Sequence, residues 1–242
     1  MQKMNRVLIV AVVAIGLVGA AALWWFNTGD AEPTTEITAP PIESTTTTEG
    51  QASATTAARE PSGEIPTLYE IAPGSMATFT IDEELRGAPK TVVGVSSIVL
   101  GQIQIDPEDL ARSEIGTILV NARDFTTDSS NRNRAIRGPI LDSEAVEFIE
   151  FAPTTIDGLS GPVQPGSPLT FTVTGDLKIR DIINQTSFEV TASIDDRGFL
   201  VGSAEATVLR SDFQLTIPNA PGVANVSDEV QLSLDFEAAP AS

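Results

Sequence analysis

An alternation of apolar and polar residues dominates the stretch from Leu169 to Asp195. Between Leu169 and Ile179 the odd-numbered positions are apolar or glycine, and the even-numbered positions carry threonine, aspartate or lysine. A second alternation runs from Ser187 to Asp195, with the apolar residues at even-numbered positions. A period of two is typical of a β-strand with one buried and one solvated face. The two halves predict a long antiparallel hairpin whose turn lies within Arg180–Thr186.

The same reasoning predicts six further strands. They are Ala77–Asp82, Thr91–Asp106, Ile115–Arg123, Val146–Ile156, Phe199–Leu209 and Glu229–Glu237. Gly94 and Gly101 favour bends or bulges in the second of these, as at a barrel corner. Only Ser129–Ile140 has a helical pattern, and Gly138-Pro139 is expected to stop it. Many strands with one short helix predict an all-β fold, a closed antiparallel β-barrel.

An uninterrupted apolar run, twenty residues from Val7 to Phe26, precedes this domain. As a helix it would be about 30 Å long, the thickness of the hydrocarbon core of a membrane. Lys3 and Arg6 come before it, and Trp24-Trp25-Phe26 end it. The pattern favours an uncleaved transmembrane signal anchor, with the C-terminal domain on the extracytoplasmic side of the cell membrane. A cleaved signal peptide is the alternative, but bulky aromatic residues occupy the place of its cleavage site.

The composition separates the chain into the predicted anchor, a linker, the barrel domain and a short tail. Residues 1–26 form the cytoplasmic tip and anchor, and residues 27–66 are rich in Thr, Pro and Glu. Such a segment has too little apolar surface to offset its chain entropy, so we expect a disordered linker that acts as a tether. A glycosylated stalk is left open. Residues 67–237 form the predicted barrel domain, and residues 238–242 a short tail.

Charge and residue content restrict the chemistry. The chain has no cysteine or histidine and a formal net charge of −19. Disulfides and thiolate metal sites are therefore excluded, nucleic-acid binding is disfavoured, and the commonest general base is missing. The carboxylate clusters Asp82-Glu83-Glu84, Glu147 with Glu150, and Asp195-Asp196 are interpreted as solvated acidic faces. We expect no enzymatic activity, no cofactor and no metal.

Two groups of residues have alternative interpretations. Small residues recur on the apolar faces of the strands: Gly175, Ala192, Gly202, Ala204 and Ala206. They indicate either close backbone packing or a lumen that side chains leave unfilled. The basic cluster Arg132, Arg134 and Arg137 either forms local surface ion pairs or holds the head group of a ligand at the barrel mouth.

Several segments carry a family resemblance. They are the run Ala206–Phe213 with Leu215, Pro218, Asp228–Val230 and Leu232; the alternation Phe171–Ile179; and Thr126–Asp128, Asn131–Arg134 and Ile140–Ser143. On these residues the chain from Phe79 onward resembles the YceI-like family of polyisoprenoid-binding barrels. It departs from the family at Val146-Glu147, where a Tyr-Pro step is frequent. A second departure is Asp181-Ile182-Ile183, where a Gly-x-Thr turn is frequent.

The resemblance implies an extended, lipocalin-like barrel of about eight strands. Its lumen would bind, sequester or transport a long-chain amphiphile such as an isoprenoid, a quinone-like molecule or a fatty-acyl lipid. The expected lumen residues are Phe171, Val173, Leu177, Phe188, Val190, Ala192, Leu232, Leu234 and Phe236. The alternative is a filled barrel, a structural or interaction domain displayed on a membrane stalk. A homodimer is left open.

Overall fold

The computed structural model describes residues 31–35, 37–42, 66–164 and 166–241. Within these ranges no helix has the length and apolar character needed to span a membrane. The predicted anchor, Val7–Phe26, lies outside the described residues.

Thirteen strands make up one antiparallel sheet in the described part of the chain. In chain order they are β1 (Thr67–Ile71), β2 (Met76–Leu85), β3 (Ala88–Ser96), β4 (Val99–Leu100), β5 (Gln102–Ile105), β6 (Glu114–Ile115), β7 (Ile118–Asn121), β8 (Phe148–Asp157), β9 (Leu169–Ile179), β10 (Ile182–Ile194), β11 (Leu200–Leu209), β12 (Val223–Ala224) and β13 (Glu229–Pro240). Single 3-10 turns occur at Leu110–Arg112 and Arg210–Phe213. The predicted all-β antiparallel fold with one short helix is confirmed.

The central hairpin is formed by β9 and β10, which pair along the whole length of β9. Its turn contains only Arg180 and Asp181, which lie within the predicted connection Arg180–Thr186. Asn184 and Thr186 are polar residues at even-numbered positions, where the alternation would require apolar ones. The pattern therefore did not indicate the start of β10. Both side chains have hydrogen-bond partners: the Asn184 amide donates to the carbonyl of Asp212 at 2.9 Å, and the Thr186 hydroxyl donates to the carbonyl of Asn184 at 3.5 Å.

The barrel closes through one interrupted segment, residues 88–105. Its parts β3, β4 and β5 pair with β2, β7 and β1, respectively, while β13 joins β2 and β1 to β11. Gly101 separates β4 from β5, and a Cβ atom there would overlap Ile118. A bend is therefore confirmed at Gly101. Gly94 instead lies inside β3, where it pairs with Phe79.

Both ends of the domain differ from the sequence prediction. Strand β1 was missed, because its five residues are too few to show a clear period. Strand β13 continues to Pro240, three residues into the predicted tail. Ala238 is fully buried and pairs with both Ile71 and Leu200. Pairing with β1 and β11 therefore orders a segment that has no distinctive pattern of its own.

The short helix α1 spans Ser130–Ala135 and continues as a π-helical turn, Ile136–Ile140. The Ser129 hydroxyl caps it by accepting from the backbone N–H of Arg132. The predicted extent, Ser129–Ile140, is close to the observed one. Gly138-Pro139 does not stop the helix but lies within the π-helical turn, where the Leu141 N–H bonds to the Ile136 carbonyl at 2.8 Å.

Part of the predicted linker lies on the barrel. We call residues 31–35 and 37–42 the N-terminal strap. The Thr34 N–H and hydroxyl donate to the Glu147 carboxylate at 2.6 and 2.9 Å, and the Ile42 N–H donates to the side chain of Gln102 at 3.3 Å. The expectation of an unattached tether thus does not hold for the strap, because side chains of the barrel satisfy its backbone. Residues 27–30, 36 and 43–65 lie outside the described part.

Candidate ligand-binding lumen

Two cavities lie in the interior of the barrel, lined by residues that the structure describes. The inner cavity has a volume of about 190 Å³, and its lining is almost entirely apolar. Leu159, Val163 and Gln164 of the connection between β8 and β9 contribute to its lining. This connection is held by the Val163 N–H, which donates to the Pro107 carbonyl, and by the Gly161 carbonyl, which accepts from the Leu110 N–H. The outer cavity has a volume of about 820 Å³ and lies at the end that carries α1 and the 3-10 turn Arg210–Phe213. Together they form a lumen along the barrel axis.

All nine lumen residues predicted from the sequence line the inner cavity, and Leu232 lines both cavities. Their burial differs. Val173, Leu177, Val190 and Ala192 are between 3 and 7% exposed, whereas Phe171, Phe188, Leu232, Leu234 and Phe236 are only half-buried. Half-buried aromatic side chains inside a barrel retain free apolar surface that faces the cavity. Contact between these residues and a ligand stays a prediction.

Some of the small residues allow close packing of the backbone, and others leave space in the lumen. A Cβ atom at Gly175 would overlap the carbonyl of Ala152, and one at Gly202 would overlap the carbonyl of Thr191. These two glycines therefore allow close packing of backbone in the barrel wall. Ala192 and Ala204 line the inner cavity instead, and their short side chains leave space in it.

Two of the three clustered arginines, Arg132 and Arg134, line the outer cavity, and Arg137 does not. Arg132 forms ion pairs with Glu83 at 2.7 Å and with Asp128. Lys90 also binds Asp128 at 2.8 Å. Hydrogen bonding from Lys90, followed by the charge of Arg132, keeps the pKa of Asp128 below its ordinary value despite some desolvation. Local ion pairing, one of the two alternatives for this cluster, is thus present at Arg132, and a head-group role stays a prediction.

The loop that follows the 3-10 turn Arg210–Phe213 forms much of the outer wall. Leu215, Ile217 and Pro218 contribute apolar lining, and Arg210 holds the loop by donating to the carbonyls of Ser227 and Leu215 at 2.9 and 3.2 Å. Sequence reasoning missed these lining residues. Leu215 and Pro218 were part of the family resemblance, but a loop has no period that reports which side chains face inward.

The carboxylate clusters do not form paired acids. Glu83 binds Arg132, Glu150 binds Lys178 at 2.9 Å, and Asp195 binds Arg197. Glu147 binds Arg123 at 2.8 Å in addition to the strap. Glu83, Glu147, Glu150 and Asp195 therefore each have a cationic partner of their own.

The fold and its lumen define a lipocalin-like antiparallel β-barrel. A family model, the YceI-like domain, matches residues 69–238. The chain therefore belongs to the YceI-like family. The match covers every residue that lines the two cavities.

Solved structures show the same fold. A polyisoprenoid-binding domain from Saccharophagus degradans implicated in plant cell wall breakdown is similar, with a TM-score of 0.56, 9% identity, and coverage of 73% of this chain and 100% of that one. BcnA from Burkholderia cenocepacia is similar with a TM-score of 0.52, 18% identity, and coverage of 68 and 96%. No curated protein matches the sequence.

Proposed function

We propose that this protein binds a long-chain amphiphile, such as an isoprenoid, quinone-like or fatty-acyl lipid, in the lumen of its barrel, and sequesters or transports it without catalysing a reaction. The amphiphile's apolar chain occupies the lumen, and its polar end lies at the outer cavity near Arg132 and Arg134. Burial stabilises such a complex by about 0.8 kcal/mol per methylene group, so a long chain binds without a catalytic residue.

The free apolar surface inside the barrel carries this proposal. Phe171, Phe188 and Phe236 point into the inner cavity and are only half-buried, although they belong to the central strands of the fold. In a filled barrel, aromatic side chains at such positions would be packed on all sides. The family match and the polyisoprenoid-binding relative support a lipid as the occupant.

A filled-barrel structural domain is the second candidate. The buried cluster around Val173, Val190 and Leu200 favours it, since these side chains are between 3 and 7% exposed and leave an inner cavity of only about 190 Å³. This candidate requires that the domain bind no apolar molecule.

Mass spectrometry of an organic extract from the purified full-length protein tests the proposal. We expect a co-purified lipid, and displacement of an apolar fluorophore by added polyprenol or fatty acid. An extract without lipid, combined with no binding of the fluorophore, would support the filled barrel instead.

A variant with a bulky side chain in the inner cavity tests whether the lipid binds there. Ala204 lines the inner cavity and is half-buried, so Ala204→Trp places an indole where the ligand chain lies. We expect binding to weaken about tenfold or more, since each displaced methylene group forfeits ~0.8 kcal/mol. Ser203→Trp is the matched control, because Ser203 pairs with the exposed residues Thr191 and Asp235 and does not line either cavity.

The same proposal places the domain outside the cytoplasm, attached to the membrane by Val7–Phe26. The apolar run and its Lys3/Arg6 flank support this orientation. Protease added to intact cells should digest the barrel domain and spare an N-terminal tag. Release of the domain with its N-terminal tag into the soluble fraction would contradict it.

A further inference from the structure

The strap shows where the chain leaves the barrel in the direction of the predicted anchor. Near the start of the strap, the Arg123 guanidinium donates to the carbonyl of Glu32 at 3.4 Å and to that of Ser143 at 2.7 Å. Ser143 follows the π-helical turn and Leu141, which contribute to the lining of the outer cavity. The start of the strap therefore lies at the outer end of the barrel.

The other end of the strap lies at the level of the inner cavity. The Ile42 N–H donates to the Gln102 side chain at 3.3 Å, and a Cβ atom at Gly116 would come within 3.1 Å of the Ile42 side chain. Ile103 and Ile115, the sequence neighbours of Gln102 and Gly116, line only the inner cavity. The strap thus runs from the outer end toward the inner end, so the residues before it leave the domain at the outer end.

Few residues separate the strap from the predicted anchor. The anchor ends at Phe26 and the strap begins at Ala31, so only residues 27–30 lie between them. A fully extended chain covers at most about 18 Å over this interval. If the strap were released, residues 27–66 would form the connection, with a root-mean-square reach of about 35 Å. The contacts of the strap therefore keep the outer end of the barrel close to the membrane that holds the anchor.

The outer end also presents apolar groups to its surroundings. Ile183, beside the turn between β9 and β10, is 57% exposed, and Leu209, at the end of β11, is 38% exposed. The loop Leu215–Val226, in the wall of the outer cavity, has no charged residue in a chain whose net charge is −19. Its residues Ala220 and Pro221 are exposed and also line this cavity. Such a loop enters the surface of a lipid bilayer without the cost of desolvating a charge.

We propose that the outer end of the barrel docks on the membrane that holds the anchor, and that the strap sets this orientation. This inference rests on the proposed function and adds the source of the ligand. The amphiphile passes between the bilayer and the lumen through the outer cavity, and the loop Leu215–Val226 is the edge that contacts lipid. A bound amphiphile then has its chain among inner-cavity residues such as Phe188 and Ala204, and its polar end beside the membrane surface.

The chain has no cysteine, so a single fluorescent label reports on one end of the barrel at a time. Ala220→Cys carries a bimane label at the outer end. Asp196→Cys carries it at the inner end, in an exposed turn whose flanking residues Ile194 and Leu200 line only the inner cavity. The full-length protein is reconstituted in phosphatidylcholine vesicles with a doxyl-labelled lipid in both leaflets.

We expect the doxyl lipid to quench the label at position 220 strongly and the label at position 196 little, because only the outer end reaches the bilayer. Equal quenching at the two positions, or stronger quenching at position 196, would overturn the docking and leave lipid binding intact.

A change within the strap tests how the orientation is set without altering the barrel. Thr34→Pro removes both the N–H and the hydroxyl that donate to Glu147. It should weaken quenching at position 220 and slow the transfer of a pyrene-labelled fatty acid from vesicles to the barrel. Its affinity for the same fatty acid in detergent should equal that of the wild type. Thr35→Pro is the matched control, since Thr35 is exposed and forms no hydrogen bond with the barrel in the described part of the chain.

The remaining outcomes separate this inference from the proposed function. Equal quenching and equal transfer rates in Thr34→Pro and Thr35→Pro would overturn the role of the strap. A full-length protein that does not float with the vesicles would overturn the anchor and the docking together. A wild type that binds no fatty acid in detergent would overturn the proposed function, and with it the passage of lipid through the outer cavity.

Discussion

The inner and outer halves of the lumen are built differently. The inner cavity is walled mainly by long, regularly paired strands, and all nine residues predicted for it line it. The outer cavity is walled by α1, the π-helical turn and the loop after Phe213, together with strand ends. The inner half, which is built from regular strands, presents an apolar surface. The outer half adds charged side chains such as Glu83 and Arg132. An amphiphile needs both, a dry wall for its chain and polar groups near its head.

The largest expected effect comes from a change in the wall of the inner half. Gly202 and Ala204 lie two residues apart on β11, but a Cβ atom at Gly202 would overlap the carbonyl of Thr191, whereas Ala204 lines the inner cavity. Gly202→Val should lower the free energy of unfolding by about 3 kcal/mol or more, at or above the upper end of the usual cost of overpacking. Ala204→Val, which adds atoms toward the cavity, should cost much less. Chemical denaturation measures both, and equal losses would show that Ala204 is packed and the inner cavity filled.

A smaller effect is expected where the strap meets the outer end of the barrel. Glu147 precedes β8 and accepts hydrogen bonds from Thr34, Asn121 and Arg123. Glu147→Gln should destabilise the domain by about 1–3 kcal/mol, since hydrogen bonds to a charged group are lost. It should also speed proteolysis at the strap. Glu144→Gln, at a nearby exposed glutamate, is the control, and equal proteolysis rates in the two variants would show that Glu147 does not hold the strap.

The pH dependence of the strap contact follows from the same carboxylate. Burial acts to raise its pKa, but the hydrogen bonds from Thr34 and Asn121 and the charge of Arg123 hold the pKa of Glu147 below its ordinary value. A group whose folded-state pKa is lowered stabilises the fold above its unfolded pKa, and this stability is lost as pH falls through the folded pKa. Strap protection should therefore be complete at neutral pH and decline under acidic conditions. Protection that instead rises on acidification would contradict this assignment.

The smallest effect is expected at the exposed edge of the outer half. Asp128 binds Lys90 and Arg132 but has a side chain that is 56% exposed. Exposed ion pairs contribute little to stability, so Asp128→Asn should change Tm only slightly. Binding of an uncharged long-chain alcohol should also be unchanged, because Asp128 does not line the apolar inner cavity. A marked loss of alcohol binding would mean that the ion pairs organise the entrance to the lumen.

The alternation of residues by itself determined the strands that matter most for the inner cavity. Leu169–Ile179 was predicted with the observed bounds, and the parity of Phe171 and Phe188 correctly placed both side chains inside. Such a pattern is readable because successive side chains of a strand face opposite sides and one side is dry.

Tertiary structure alone decided the outer half and the contacts between distant segments. Phe79 meets Phe125 because β2 pairs with β3 and a short bridge joins Val95 to Thr126. Thr34 forms hydrogen bonds with Glu147, 113 positions away, and the composition of neither segment predicts this contact. Ala238 becomes a strand residue because β1 and β11 pair with it. In each case the contact joins segments that are distant in the chain. The residue pattern of one segment therefore does not predict it.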